Sequence, residues 1–205
     1  MLPFRVARLL LFAAALVPAG WLVWGLLTDR LGANPVDAIT DETGTWALRF
    51  LVLTLAVTPV RRLTGWHALV RLRRMLGLFA FFYAALHVLT YVWLDHLFDV
   101  PAIAADVVKR PFVTMGALAF VLLLPLAVTS TAGWIRRLGG RRWQMLHWLV
   151  YPAAVAAVVH YLWLVKLETD RPLRYAAVLA ILFAARAGVW WRRRPRSRAQ
   201  PARLP

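Results

Sequence analysis

The sequence contains no cysteine, and that absence removes several kinds of chemistry. Without thiols, the chain cannot form disulfides, hold an iron–sulfur cluster through cysteine, ligate haem by thiolate or attach haem covalently through a C-x-x-C-H motif. A cysteine nucleophile is excluded for the same reason. Any haem held by this chain would therefore be bound non-covalently, as a b-type haem.

Acidic residues are scarce. The 205 residues include 9 acids against 25 bases, and 61% of them are hydrophobic. A soluble domain of this length would need many more charges on its surface. The composition therefore predicts an all-α integral membrane protein, because helices satisfy every backbone hydrogen bond within one segment.

A nucleotide-binding module is also missing. No G-x-G-x-x-G motif precedes a helical pattern, and the predicted loops are too short to contain a Rossmann unit. If the chain moves electrons, the donor and the acceptor must be other molecules.

What the chain does have is six apolar segments, each long enough to be read as a membrane-spanning helix. The first is expected to be a retained anchor, since it is long and lacks a convincing cleavage site. The predicted spans are Leu9–Leu27, Thr45–Val60, Met75–Leu94, Pro111–Ser130, Trp143–Lys166 and Leu173–Trp191.

The loops between these segments alternate in charge. The N-terminus, the loops near 61–74 and 131–142, and the tail from Arg186 carry most of the bases and no acid. Positive charge stays on the cytoplasmic side, so both termini are predicted to be cytoplasmic. This divides the chain into a short N-terminus (1–8), a six-helix haem domain (9–191) and a basic tail (192–205). Nucleic acid is not expected as a partner, because the charge follows the topology.

Three of the five histidines lie inside predicted spans, where ionisable residues are costly and suggest function. His87 lies eight residues before Asp95, and His160 lies six residues before Lys166. Spans three and five run in the same direction, so the two imidazoles differ in depth by only about 3 Å. They could face each other as the two axial ligands of a b-type haem. The alternative is that both are hydrogen-bonded packing residues.

Of the two remaining histidines, His67 lies in a basic loop and is expected to be solvated. His96 lies at the outer end of the third span beside Asp95 and Asp99; it could sense pH or contact a partner, but no function is expected of it.

His147, near the cytoplasmic boundary, has no histidine at its level. A second haem would need another ligand there, with Met75 as the obvious candidate and Arg73 or water as alternatives. On an ideal helix His147 and His160 do not share a face, but Pro152 between them predicts a kink that corrects the phase. Haem propionates need cationic partners, and several arginines lie near this boundary: Arg71, Arg73, Arg74, Arg141 and Arg142.

These residues lie in motifs that resemble a known family. The segments are LGANPV (31–36), RRMLGL (73–78), LHVLTY (86–91), KRPF (109–112), LAVTST (126–131), W-x-x-L-H-x-x-V-Y (143–151) and HYLW (160–163). Together they resemble the MsrQ (YedZ) family, within the ferric-reductase-like transmembrane superfamily. The resemblance covers about residues 20–170.

The resemblance implies a haem-binding subunit in the bacterial inner membrane. Such a subunit takes electrons from the quinone pool and passes them to MsrP, a periplasmic molybdopterin enzyme that reduces methionine sulfoxide in proteins. It also implies b haem and FMN as cofactors, with His87, His147 and His160 as the family's histidines. The catalytic reduction would then belong to the partner. The sequence departs from the NADPH-oxidase branch in lacking a fourth histidine, so the haem count, one or two, stays open.

Two other interpretations remain open. One is a stand-alone transmembrane ferric or quinone reductase that works without MsrP. The other is a non-redox membrane transporter or assembly factor whose histidines bind a metal or relay protons, although no internal repeat supports a transporter.

Overall fold

The computed structural model describes residues 4–165 and 169–193, and all the regular structure in that part of the chain is helical. This agrees with the predicted all-α class. The helices are α1 Phe4–Leu27, α2 Pro35–Thr64, α3 Leu69–Leu89 with a π-helical extension Thr90–Asp95, α4 Val100–Lys109, α5 Pro111–Val128, α6 Ala132–Leu138, α7 Gly140–His147, α8 Val150–Leu164 and α9 Asp170–Arg193.

Five helical stretches in the described chain are long and apolar enough to cross a membrane, and they correspond to the first five predicted spans. They are Phe4–Leu27, Pro35–Thr64, Leu69–Asp95, Pro111–Val128 and Gly140–Leu164. The predicted sixth span falls on α9, which is not among them. Its described side chains end at Gly188 and include Arg171, Arg174 and Arg186. A sixth crossing and the cytoplasmic placement of both termini therefore stay predictions. Lys166 and most of the predicted 192–205 tail lie outside the described residues.

The second span is longer than its apolar stretch. α2 begins at Pro35 rather than at Thr45, because Asn34 caps the helix by accepting a hydrogen bond from the Asp37 N–H at 3.3 Å. Proline suits this first turn because its missing N–H is not needed there. The acids of the first two turns lower the local hydropathy without interrupting the helix.

The connections also contain structure that the sequence did not predict. α3 begins at Leu69, so Arg71, Arg73 and Arg74 belong to a helix rather than to a loop. The acidic connection after the third span contains α4, capped by the Asp99 side chain, which accepts a hydrogen bond from the Ala102 N–H at 3.0 Å. We call the end of the bundle that carries this connection the acidic end and the opposite end the basic end.

The fifth span is broken, as Pro152 predicts. Proline at 152 has no N–H for the Trp148 carbonyl, and the Tyr151 N–H bonds to that carbonyl instead, at 3.0 Å. The helix consequently divides at Trp148–Leu149 into α7 and α8. His147 and His160 thus lie on two different helices.

Two helix pairs form the centre of the bundle: α2 packs along α3, and α5 packs along α8. α3 also contacts α5 and joins the two pairs. The most deeply buried side chains, Leu55, Tyr83 and Ala153, come from both pairs. Because α3 and α8 carry the two intramembrane histidines predicted to be at one depth, this packing decides where those histidines meet.

α1 is attached to the core through its backbone. The buried Tyr83 hydroxyl donates to the Ala15 carbonyl at 2.7 Å and accepts from the Ala19 N–H at 3.2 Å. In a regular helix these two α1 groups would bond to each other. Pro18 lies between them, and inserting a hydroxyl into the hydrogen-bond ladder beside a proline is a recognised cause of helix bending.

Candidate functional site

The His87 and His160 rings lie opposite each other, with centroids 6.0 Å apart and ring planes at 75°. His87 comes from α3 and His160 from α8, so each helix pair supplies one ring. Two metal–nitrogen bonds of about 2 Å, plus about 1 Å from each nitrogen to its ring centre, also add up to about 6 Å. The separation therefore fits two imidazoles that bind one metal ion from opposite sides.

A backbone carbonyl holds each of the two rings. Nδ1 of His87 lies 2.9 Å from the Thr40 carbonyl oxygen of α2, and Nδ1 of His160 lies 2.6 Å from the Phe112 carbonyl oxygen of α5. A carbonyl only accepts hydrogen bonds, so both Nδ1 atoms must carry the proton and donate it. Each Nε2 then keeps its lone pair, which is the state an imidazole needs to bind a metal.

A glycine lies against each ring, four residues after the accepting carbonyl. A Cβ at Gly44 would lie 3.0 Å from Nδ1 of His87, and a Cβ at Gly116 would lie 2.9 Å from Nδ1 of His160. Any larger residue would push the ring away from its carbonyl. The two helix pairs thus repeat one arrangement of carbonyl, glycine and imidazole. Sequence reasoning missed both glycines. Gly116 could have been noticed as a glycine inside the predicted span Pro111–Ser130, whereas Gly44 lies just before the predicted span Thr45–Val60 and gave no such signal.

The backbone changes directly after His87. Thr90–Asp95 forms a π-helix, a rare conformation that often occurs at functional sites. It places the Tyr91 hydroxyl 3.3 Å from an Asp106 oxygen and leads to His96, whose Nε2 lies 3.4 Å from the same carboxylate. His96 is largely buried beside Asp106, which also faces Arg110 at 3.4 Å.

His147 has a different environment from the other two intramembrane histidines. Its Nδ1 lies 3.0 Å from the Trp143 carbonyl of its own helix, and its ring stacks on the Trp143 ring at 3.8 Å. It lies at the last residue of α7, directly before the break. The Leu126 carbonyl of α5 is a second hydrogen-bond partner of this ring, whereas His87 and His160 each have one carbonyl partner.

The residues predicted to act as partners of His147 differ in where the structure places them. Arg73 lies close enough to His147 to affect its charge. Met75 packs against the hydrophobic core, and Arg74 is exposed. Proximity therefore favours Arg73 as the neighbour of His147.

Arg186 of α9 is a feature that sequence reasoning missed, having assigned it to the tail. Its Nη2 donates to the Leu55 carbonyl at 2.6 Å. That carbonyl is free because Pro59, four residues on, has no N–H to offer. Within the described chain, Nε and Nη1 of Arg186 are buried without a hydrogen-bond partner. The Tyr151 ring lies 5.3 Å from its Cζ, and Arg73 is again within electrostatic range.

Within the part of the chain that the structure describes, Arg186 forms no ion pair with a carboxylate. All nine acids fall at positions 29–42, 95–106 and 168–170. A buried guanidinium is costly unless an anion compensates it. A carboxylate or phosphate of a bound molecule has the chemistry to supply such an anion.

The described residues do not bring three or more metal-ligating side chains together. What they do provide is the opposed pair of imidazoles. A b-type haem could take this donor set, and His87 and His160 would be the residues that hold its iron. The residues present thus fit a bis-histidine haem.

Comparisons with known proteins point in the same direction. The family described as ferric reductase like transmembrane component matches residues 43–158, more than half of the chain. That class consists of membrane-spanning redox components.

Individual relatives narrow the class. The chain is 53% identical over 192 residues to the protein-methionine-sulfoxide reductase heme-binding subunit MsrQ of Herminiimonas arsenicoxydans, covering 93% of this chain and 88% of the relative. It is 58% identical over 177 residues to that subunit of Azospira oryzae, covering 86% and 76%. For Rhodospirillum rubrum the identity is 51% over 195 residues, covering 95% and 94%. The chain belongs to the MsrQ family of ferric-reductase-like membrane proteins.

Proposed function

We propose that this chain is the membrane haem subunit of a methionine sulfoxide reductase system, and that it passes electrons through a b-type haem held by His87 and His160. The observation that carries the proposal is the 6.0 Å separation of two imidazoles held in the same tautomer. The printed names of its relatives describe heme-binding subunits of that system.

The bound haem supplies a one-electron carrier. The protein residues keep that carrier in one coordination state. Both Nδ1 protons are tied to carbonyls, so neither ring can turn or change tautomer when the charge of the site changes. Gly44 and Gly116 allow the rings to lie directly on the helix backbones. Two fixed ligands leave no open position for oxygen, which suits electron transfer rather than oxygen chemistry.

A second haem at His147 is the finer part of the proposal. His147 offers Nε2, and Arg73 or Met75 would supply the other side. The buried donors of Arg186 suit a propionate carboxylate, and Arg73 adds a second positive charge.

The membrane arrangement is proposed from the charge pattern. Six spans with both termini in the cytoplasm place the basic end inside and the acidic end outside the bacterial inner membrane. The acidic end would then face MsrP, forming a heterodimer whose encounter is assisted by charge complementarity. Quinol from the membrane is the proposed donor. FMN rests on the family resemblance alone, and flavin extraction from the purified chain tests it.

Optical spectroscopy of the purified protein tests the haem proposal. We expect a b-type α band in the reduced-minus-oxidised spectrum. His87→Ala and His160→Ala should each abolish the haem at the acidic end, because one axial ligand is lost in either case. His67→Ala, an exposed loop histidine, is the matched control and should keep full haem content. Full haem content in both His87→Ala and His160→Ala would contradict the proposal that these two histidines hold one haem.

Reconstitution tests the role in the reductase system. Membranes that contain the chain and MsrP should transfer electrons to methionine sulfoxide, and the His160→Ala variant should not. Ferric or quinone reduction without any transfer to MsrP would instead favour a stand-alone reductase.

A further inference from the structure

A groove of about 370 Å³ lies between α1 and α2, in the half of the bundle nearer the acidic end. Ala14, Val17, Pro18 and Trp21 line one side. These residues follow one face of α1 at helical spacing. The volume lies within the usual range for small-molecule sites.

The groove opens toward lipid. Val17 is 64% exposed and Trp21 is 52% exposed, both on the surface of a helix apolar enough to cross a membrane. A ligand that reaches this groove would therefore come from the bilayer rather than from water.

The α2 side of the groove is polar, which is unusual for a surface inside a span. Glu42, Trp46 and Arg49 lie on consecutive turns of α2 and line the groove. The Arg49 guanidinium lies over the Trp46 ring at 4.4 Å. Within the described chain neither Glu42 nor Arg49 forms an ion pair. Charged side chains at such positions are costly and normally serve a function.

Two contacts of α2 connect the groove with the histidine pair. The Trp46 ring lies 6.3 Å from the ring of Tyr83, a buried residue one helical turn before His87. Gly44, two residues before Trp46, contacts the His87 ring itself. The groove therefore lies beside the segment of α2 that contacts His87.

We propose that this groove binds the aromatic headgroup of a lipid-soluble quinol, with Glu42 as the acceptor of its hydroxyl proton. The two tryptophans suit a flat aromatic ring, and Arg49 offers a donor to a ring oxygen. Oxidation of the quinol to the quinone breaks two O–H bonds and releases two protons and two electrons. Glu42 takes the first proton and returns it to water at the acidic end; the second follows the same route. A haem held by His87 and His160 would accept the two electrons, one at a time. This inference rests on the proposed function.

Photolabelling tests the site without relying on haem. The purified full-length chain in lipid nanodiscs is irradiated with an azido-benzoquinone probe and mapped by mass spectrometry. We expect label in residues 14–21 or 42–49. Val17→Trp, which fills the groove, should lose that label. Val23→Trp, equally lipid-exposed on α1 but outside the groove, should keep it. Label elsewhere, or label that survives Val17→Trp, would overturn the proposal.

Stopped-flow reduction of the haem by decylubiquinol tests the chemistry. Glu42→Gln keeps the side chain's size and removes its basic oxygen, so we expect reduction to slow by about 100-fold. Asp41→Asn, next to it on α2 but outside the groove, should be close to wild type. Dithionite, which needs no quinol site, should reduce all variants alike. Wild-type quinol rates in both Glu42→Gln and Val17→Trp would sink the proposal. If the probe labels the groove but quinol does not reduce the haem-loaded chain, the binding site stands and quinol as the electron donor is overturned.

Discussion

The acidic and basic ends of this bundle surround their histidines in different ways. At the acidic end, His87 and His160 are each held by a carbonyl and a glycine from a neighbouring helix. At the basic end, the His147 ring bonds to the Trp143 carbonyl of its own helix. Arg186, which like His147 lies within electrostatic range of Arg73, keeps two buried donors without partners in the described chain. The His87–His160 pair is fixed by contacts between helices, whereas the hydrogen bond of the His147 ring to the Trp143 carbonyl stays within one helix. The difference indicates that a ligand at the basic end would contribute more of its own site.

The largest effect should come from breaking the organised end. Gly44→Val and Gly116→Val each place a branched side chain where even a Cβ would contact the histidine ring at 2.9–3.0 Å. Overpacking of this kind costs about 1–3 kcal/mol, which corresponds to roughly fivefold to 150-fold weaker haem binding. Haem titration of the purified variants measures it.

The control for this prediction is Gly20→Val on α1, where a Cβ meets no other atom within 4 Å. It should bind haem like the wild type. Unchanged haem affinity in both histidine-contacting variants would show that the close glycine packing is not needed.

A second effect should separate the two ends. His147→Ala should remove one haem and leave the acidic-end haem intact, since His147 shares no helix or hydrogen bond with that pair. Haem per chain, measured by pyridine haemochrome assay, should fall from two to about one. If the wild type binds one haem per chain and His147→Ala also binds one, the proposal of a second haem is refuted.

The smallest effect should come from Arg186. Arg186→Gln removes a buried positive charge beside the proposed basic-end haem, so the reduced form loses stabilisation. We expect the midpoint potential of that haem alone to fall by on the order of tens of millivolts. Redox titration with optical detection measures it.

Arg174→Gln, an exposed arginine near the acidic start of α9, is the matched control. It should leave both potentials unchanged. If Arg186→Gln shifted the midpoint potential of the acidic-end haem alone, the prediction that Arg186 acts on the basic-end haem would be wrong.

Much of the architecture could be read from the sequence. The apolar runs located five of the crossing helices, and Pro152 predicted the break in the fifth. Counting helical rise from Asp95 and Lys166 was enough to place His87 and His160 at one depth. These features follow from local properties, because a bilayer constrains each segment separately by length, polarity and charge.

The contacts between helices could not be predicted from the sequence. The Thr40 and Phe112 carbonyls are ordinary backbone groups, and no side chain marks them as acceptors for an imidazole. The bond from Arg186 to the Leu55 carbonyl joins residues that are 131 positions apart. It depends on Pro59 freeing that carbonyl at the point where α9 passes α2.

The sequence by itself determined that this is a helical membrane protein with three histidines inside its spans, two of them at one level. Only the tertiary structure decided that those two rings meet at 6.0 Å with their Nε2 atoms free, and that His147 does not join them. The physical reason is that depth in a membrane follows from counting residues along one helix. The direction in which a ring points, and the group that fixes it, depend on how separate helices pack against one another.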